Sequence, residues 1–200
     1  MKYKIILWDA DGVVLKSSRR FSEQLETDYG IKRSTLQPFF TGVFRDCTLG
    51  RSDLKEALAN VITHWGWKGT VEELMEYWFT KGTQMDEEVI AYVQSVRALD
   101  IHCFMASDQE KYRGEYLQNL LGDGKVFEKV FYSAEIGHVK KEVAFFECIY
   151  NTINKKPLVS KDETLFIDDD EKNVEVAKIF GYDGYVYKDL QSLKAFLTLP

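Results

Sequence analysis

Asp9 and Asp11 stand two residues apart where a short apolar stretch ends, in Trp8-Asp9-Ala10-Asp11-Gly12. On extended backbone, residues i and i+2 face the same way, so the two carboxylates converge. Like charges that close raise one pKa unless a cation neutralises them. The pair therefore points to a bound metal, an acid/base, or both, and Gly12 lets the chain turn sharply away. Three further features carry related chemistry. Ser107 closes an apolar run over 101–106, has Asp108 beside it, and precedes a helix expected to begin near Gln109. A hydroxyl and free backbone N–H groups at a helix N-terminus can hold phosphate. Lys140 ends Ser133-Ala134-Glu135-Ile136-Gly137-His138-Val139-Lys140, ahead of a helical pattern of Val143, Phe146, Ile149 and Tyr150. Asp168-Asp169-Asp170 follow Leu165-Phe166-Ile167, and Asn173 lies one helical turn past Asp169.

These residues need a scaffold that brings four distant segments together. Apolar runs over 4–8, 101–106, 126–132, 164–167 and 185–187 read as strands, with helical patterns between them. That alternation predicts an α/β fold, a Rossmann-like parallel sheet core flanked by helices. Ligands bind at the carboxyl ends of such strands, where all four features fall. The stretch between Trp8 and Ile101 is too long for one crossover helix. It predicts an inserted α-helical cap over 16–84, with the catalytic core formed by 1–15 and 85–200. Within the cap, Ser17 or Ser18 is expected to cap a helix carrying Phe21, Leu25 and Tyr29, stopped by Gly30. Ser52 is expected to cap one running from Leu54 to Trp65, stopped by Gly66. Thr70-Val71-Glu72-Glu73 is a capping-box pattern before Leu74, Tyr77 and Trp78, with Gly82 beyond. Asp86 starts a core helix with Val89, Tyr92, Val93, Val96 and Leu99 at helical spacing.

At 45% hydrophobic and 14% aromatic, the 200 residues can bury a sizeable core. The net charge of −6 argues against a large nucleic-acid or anionic-membrane surface and leaves room for a local basic pocket. No apolar run has the length of a membrane span, and the N-terminal run is too short for a signal peptide. Cys47, Cys103 and Cys148 form no C-x-x-C and read as free thiols in a reducing cytoplasm.

In this order the motifs resemble the haloacid dehalogenase-like (HAD) hydrolase superfamily. They stand here as WDADGVV, FMASDQ, SAEIGHVK and FIDDDEKNVEVA, across essentially the whole chain. A helical insertion between the first two motifs resembles the members with a cap at that place, and the length looks most like the small sugar-phosphate phosphatases. The resemblance implies a Mg²⁺-dependent phosphatase acting on a small phosphorylated metabolite. Asp9 would be the nucleophile, forming an aspartyl-phosphate, and Asp11 the general acid and base. Ser107, Asp108 and Lys140 would lie at the phosphate. Asp9, the Asp11 carbonyl and Asp169 would hold the metal, with Asp168 a further contact or an acceptor for Lys140. Two positions depart from the family pattern. Asp108 stands where Asn is common, and Lys141 where Pro often follows the lysine. No nucleic-acid or membrane partner is implied, and the chain is expected as a monomer or small homo-oligomer.

The rival readings are a phosphomutase with the same acids and a weakly catalytic binding or regulatory member. A dehalogenase branch resembles this motif without its second Asp. Several residues read as structural: Asp170 as a helix cap, His138 as a surface loop residue, and Trp65, Trp67, Tyr77, Trp78 and Phe79 as cap core. Asn173 either faces its own turn or orients the acids. Arg19, Arg20, Arg45 and Arg51 read as solvated.

Overall fold

The central strands are near-continuous buried runs because the sheet is covered on both faces. In the computed structural model, residues 2–16, 20–153 and 159–198 are described. Among them are β1 (Ile5–Trp8), β2 (His102–Ser107), β3 (Val130–Tyr132), β4 (Thr164–Asp168) and β5 (Asp183–Val186). All pair in parallel in the order β3-β2-β1-β4-β5. β1 is central, with Leu7 registered against Phe104 on one side and Phe166 on the other. The chain fills one flank through β2 and β3, then crosses to the other for β4 and β5. The switch point between β1 and β4 is where open α/β sheets bind ligands.

Side-chain alternation divides the core in two. Ile6, Trp8, Cys103, Met105, Leu165 and Ile167 face one cluster, filled by α7 (Glu87–Arg97), α8 (Lys111–Leu121) and α12 (Leu190–Leu197). Ile5, Leu7, Phe104, Phe131 and Phe166 face the other, filled by α10 (Val143–Ile153) and α11 (Glu171–Phe180). The strand residues Ile5, Ile6, Leu7, Phe104, Met105, Val130, Phe131, Leu165, Phe166 and Ile167 are all buried. Each such side chain contributes about 1.5–3 kcal/mol when fully buried.

Between β1 and α7 the described residues form six helices. They are α1 (Phe21–Tyr29), α2 (Arg33–Thr41), α3 (Val43–Thr48), α4 (Leu54–Ala59), α5 (Ile62–Trp65) and α6 (Val71–Gly82). They bury a cluster of their own around Phe21, Leu25, Leu36, Leu54, Leu58 and Leu74. Trp65, Trp78 and Phe79 belong to it, with Trp67 and Tyr77 packed against it. The Thr70 capping box forms, with Glu73 N–H on the Thr70 hydroxyl and Thr70 N–H on the Glu73 carboxylate. Gly30 ends α1 in the left-handed conformation. Ser17, Ser18 and Arg19 lie outside the described residues.

Several expected boundaries differ. β5 pairs from Asp183 and not from Tyr185, α6 runs through Gly82, and Arg20 holds the N-cap position of α1. Asp53, not Ser52, caps α4, its carboxylate accepting from Lys55 and Glu56 N–H. The single helix expected from Leu54 to Trp65 is two, because Asn60 and Val61 interrupt it. The strand expected over 126–132 pairs only from Val130. Val126 and Phe127 are buried, but their N–H groups turn back to the Leu121 carbonyl at the end of α8. Among the described residues no helix is long and apolar enough to cross a membrane.

Candidate active site

Asp9 follows the last residue of β1, its N–H bonded to the Ile167 carbonyl of β4. Asp168 is the last residue of β4, and Asp169 begins the next turn. One oxygen from each of Asp9, Asp168 and Asp169 lies within 4.8 Å of the others. Gly12 makes room for this gathering. Its φ is +90°, and a Cβ there would collide with the Asp169 carboxylate.

Lys140 enters the cluster from the short loop between α9 (Ser133–Ile136) and α10. Its ammonium lies 2.6 Å from Asp9 Oδ1 and 2.7 Å from Asp168 Oδ2, and Asp9, Lys140 and Asp168 are all buried. Lys141 instead reaches outward to Asp170 at 3.6 Å. The Lys140 N–H donates to Asp108 Oδ1 at 2.9 Å. Asp108 therefore anchors the lysine loop and does not cap α8. That helix starts later than expected, with Glu110 as its cap. Asn173 Nδ2 donates to both Asp168 oxygens, at 3.2 and 3.1 Å, so its turn leads back to Asp168 and not to Asp169. Asp170 caps α11, its carboxylate accepting from Lys172 N–H.

Burial pushes the Asp9 carboxyl up to about 8, against the pull of Lys140. Burial works to lower Lys140, but Asp9 and Asp168 outweigh it and raise the ammonium further. Asp108 and Asp169 are also raised, each chiefly by burial. One ammonium among the carboxylates of Asp9, Asp168 and Asp169 leaves a net negative site. Hard oxygen donors at this spacing suit a divalent cation such as Mg²⁺.

Asp11 is set apart from that cluster. Its Oδ2 accepts from Gln109 Nε2 at 2.7 Å and its Oδ1 from Arg113 at 2.8 Å. Gln109 also donates to the Ser107 hydroxyl at 3.0 Å, linking Ser107 to Asp11. Neither Gln109 nor Arg113 stood out in the sequence. Gln109 was readable only as a close neighbour of Ser107, and Arg113 only as one helix charge among many. His138 pairs with Glu142 at 2.6 Å and takes no part in the cluster. Arg20 and Arg45 are exposed. Arg51 is exposed too, but it lines a cleft of about 400 Å³ with Lys111, Tyr132 and Ala134, where the helical layer meets the sheet.

No family model matches the chain. It is 22% identical over 191 residues to a D-ribitol-5-phosphate phosphatase of Bacteroides thetaiotaomicron, covering 91% of this chain and 90% of that protein. A HAD family enzyme from the same organism has a TM-score of 0.80 at 18% identity, over 98% of each chain. That enzyme is also known as a complex with magnesium and inorganic phosphate. A predicted HAD-like family hydrolase from Porphyromonas gingivalis has a TM-score of 0.80 at 21% identity, over 100% of both chains. With its central β1, its parallel sheet and its helical insertion after the first strand, the chain has the fold of the HAD family enzymes.

Proposed function

We propose that this protein is a Mg²⁺-dependent phosphatase that hydrolyses a small phosphorylated metabolite through an aspartyl-phosphate. The observation that carries this reading is the buried Lys140 between Asp9 and Asp168, with Asp169 alongside. The match to a D-ribitol-5-phosphate phosphatase supports it and makes a polyol or sugar phosphate the first substrate class to try.

Phosphate monoesters hydrolyse so slowly unaided that a large barrier reduction is required. A carboxylate nucleophile divides the difficult step in two. Asp9 attacks phosphorus as the bond to the leaving oxygen breaks, and Asp11 gives that oxygen a proton. Asp11 then takes a proton from the water that splits the aspartyl-phosphate, releasing phosphate. Ser107 and Lys140 bind phosphoryl oxygens, and Lys140 offsets the charge that Asp9 brings. Asp9, Asp168 and Asp169, with the Asp11 carbonyl, would hold the Mg²⁺, and the ion would supply charge neutralisation at the phosphoryl group. Asp108 and Asn173 act through others, Asp108 by fixing the Lys140 backbone and Asn173 by fixing Asp168.

Residues 16–84 serve as a cap over the strand ends, excluding water from the first step and reading the organic part of the substrate. A cytoplasmic location is part of the same reading, supported by Cys47, Cys103 and Cys148, all free.

The test is phosphate release from an aryl phosphate and from D-ribitol 5-phosphate, with Mg²⁺ or with chelator, for the native chain and Asp9→Asn. Turnover that needs Mg²⁺ and vanishes in the variant is expected. Equal rates in the two proteins would remove Asp9 as nucleophile. An isomerised sugar phosphate in place of free phosphate would make the protein a mutase.

A further inference from the structure

The Asp11 carboxylate is held at both oxygens, and one of its two holders also touches the helical layer. Arg113, on the first turns of α8, is buried although it carries a full charge. One of its nitrogens, Nη2, lies 2.8 Å from Asp11 Oδ1 and 3.1 Å from the Gly82 carbonyl. Gly82 is the last residue of α6, where the chain leaves the helical layer to return to the sheet. The contact there is close, because a Cβ on Gly82 would fall 2.7 Å from Arg113 Nη1. Among the described residues, none is a hydrogen-bond partner for the buried Arg113 Nε. Burying a guanidinium with an unpaired donor is costly, so its placement is not explained by stability alone.

We propose that Arg113 is a positioning residue for the general acid. With Gln109 it fixes the direction of the Asp11 carboxylate, and through Gly82 it ties that direction to the seating of the helical layer. The inference rests on the phosphatase reading of Asp11. It predicts which reactions suffer when Arg113 is lost. An alkoxide leaving group needs the proton from Asp11 as the P–O bond breaks, whereas a nitrophenolate leaves with little help. General acid catalysis is worth about 10²–10⁴-fold, so misplacing the acid by one lost contact costs a fraction of that.

The experiment compares native protein, Arg113→Met, Arg113→Lys and Gly82→Ala on an alkyl phosphate and on 4-nitrophenyl phosphate, with thermal melting to check folding. Arg113→Met is expected to lose roughly tenfold more kcat/KM on the alkyl ester than on the aryl ester, a part of the general-acid factor. Arg113→Lys, which keeps the charge but not the fork, is expected to recover part of the loss. Gly82→Ala acts from the helical layer without touching Asp11 and is expected to show the same selectivity in weaker form. Equal losses on both esters, or none, would overturn the proposal, as would a Gly82→Ala protein with native selectivity. A crystal structure of Arg113→Met is a second readout, independent of turnover. Asp11 in its native orientation there would refute the positioning role, and a redirected carboxylate would support it. A native protein inactive on every ester would refute the phosphatase reading instead, and the orientation of Asp11 in that crystal would still decide the role of Arg113.

Discussion

A buried ammonium between two carboxylates stabilises a fold only while all three groups are present. Lys140 is in that position, 2.6 Å from Asp9 and 2.7 Å from Asp168. Lys140→Met would strand both carboxylates away from water. It is expected to lower the unfolding free energy by about 3–5 kcal/mol, measured by urea denaturation in chelator. Mg²⁺ should restore part of that loss, because a divalent cation takes over the missing charge. A loss under about 1 kcal/mol would mean that water reaches the pair, as in an exposed ion pair. The residues of this cluster were legible in the sequence because each ends, follows or precedes a recognisable element. Asp9, Ser107 and Asp168 come at the ends of apolar runs, and Lys140 comes just before an amphipathic helix. Gln109 and Arg113 were not legible. Their importance lies in contacts with Asp11, from which they are distant in sequence, and no local pattern marks such a contact. Asn173 was legible only in part, since helical spacing placed it near the acids without saying which one it would hold.

Among the helices, α8 carries an unusual cap. Glu110 is buried, and its carboxylate accepts from the Tyr112 and Arg113 N–H groups. Burial raises this carboxyl from 4.5 to about 7, with the two N–H donors pulling the other way. Between those pH values the native protein keeps a proton that the unfolded chain has released. The stability linked to Glu110 is therefore fully present below about pH 4.5 and is lost as pH rises through about 7. Glu110→Gln keeps an acceptor for the cap but removes this titration. Relative to the variant, the native protein should lose about 2–3 kcal/mol between pH 4.5 and 7.5, read from urea midpoints at both ends. Parallel pH profiles would show that Glu110 stays ionised in the fold. Helix α6 offers a plainer case. Thr70→Ala removes the hydroxyl that accepts from Glu73 N–H, and about 1 kcal/mol of stability should go with it in thermal melting. Elements with such local signatures were readable, and those without were not. The helices α2 and α3 left no usable pattern because Pro38 lies inside the first and Gly42 separates the two. The strand expected over 126–132 was too long because apolar residues mark burial, and burial does not require a ladder.

At the scale of the whole molecule, the helical layer and the sheet meet along a seam that includes Gly50, Asp53, Tyr112 and Ala134. The Tyr112 hydroxyl donates to Asp53 Oδ2 at 2.6 Å, joining α8 to the cap of α4. Beside it, Gly50 has φ +69° and lies so close to the Ala134 carbonyl that a Cβ would collide with backbone. The carbonyl belongs to α9, just before the lysine loop, and cannot swing aside as a side chain would. Gly50→Ala therefore strains the seam twice, by its left-handed backbone and by the clash. The backbone part alone costs about 1–2 kcal/mol for a residue with a Cβ. If that strain is relieved by lifting the loop off the sheet, the cost falls on the seated arrangement and not on the fold of either layer. The seated population, and with it kcat/KM for the phosphate ester, should then drop by about tenfold, the equivalent of roughly 1.4 kcal/mol. The melting temperature should change little, and Tyr112→Phe, which breaks the neighbouring hydrogen bond, should move kcat/KM the same way by a smaller factor. A large fall in melting temperature with unchanged kcat/KM would place the strain inside the fold. The helical layer would then be a fixed wall of the site and not a part that opens and closes over it.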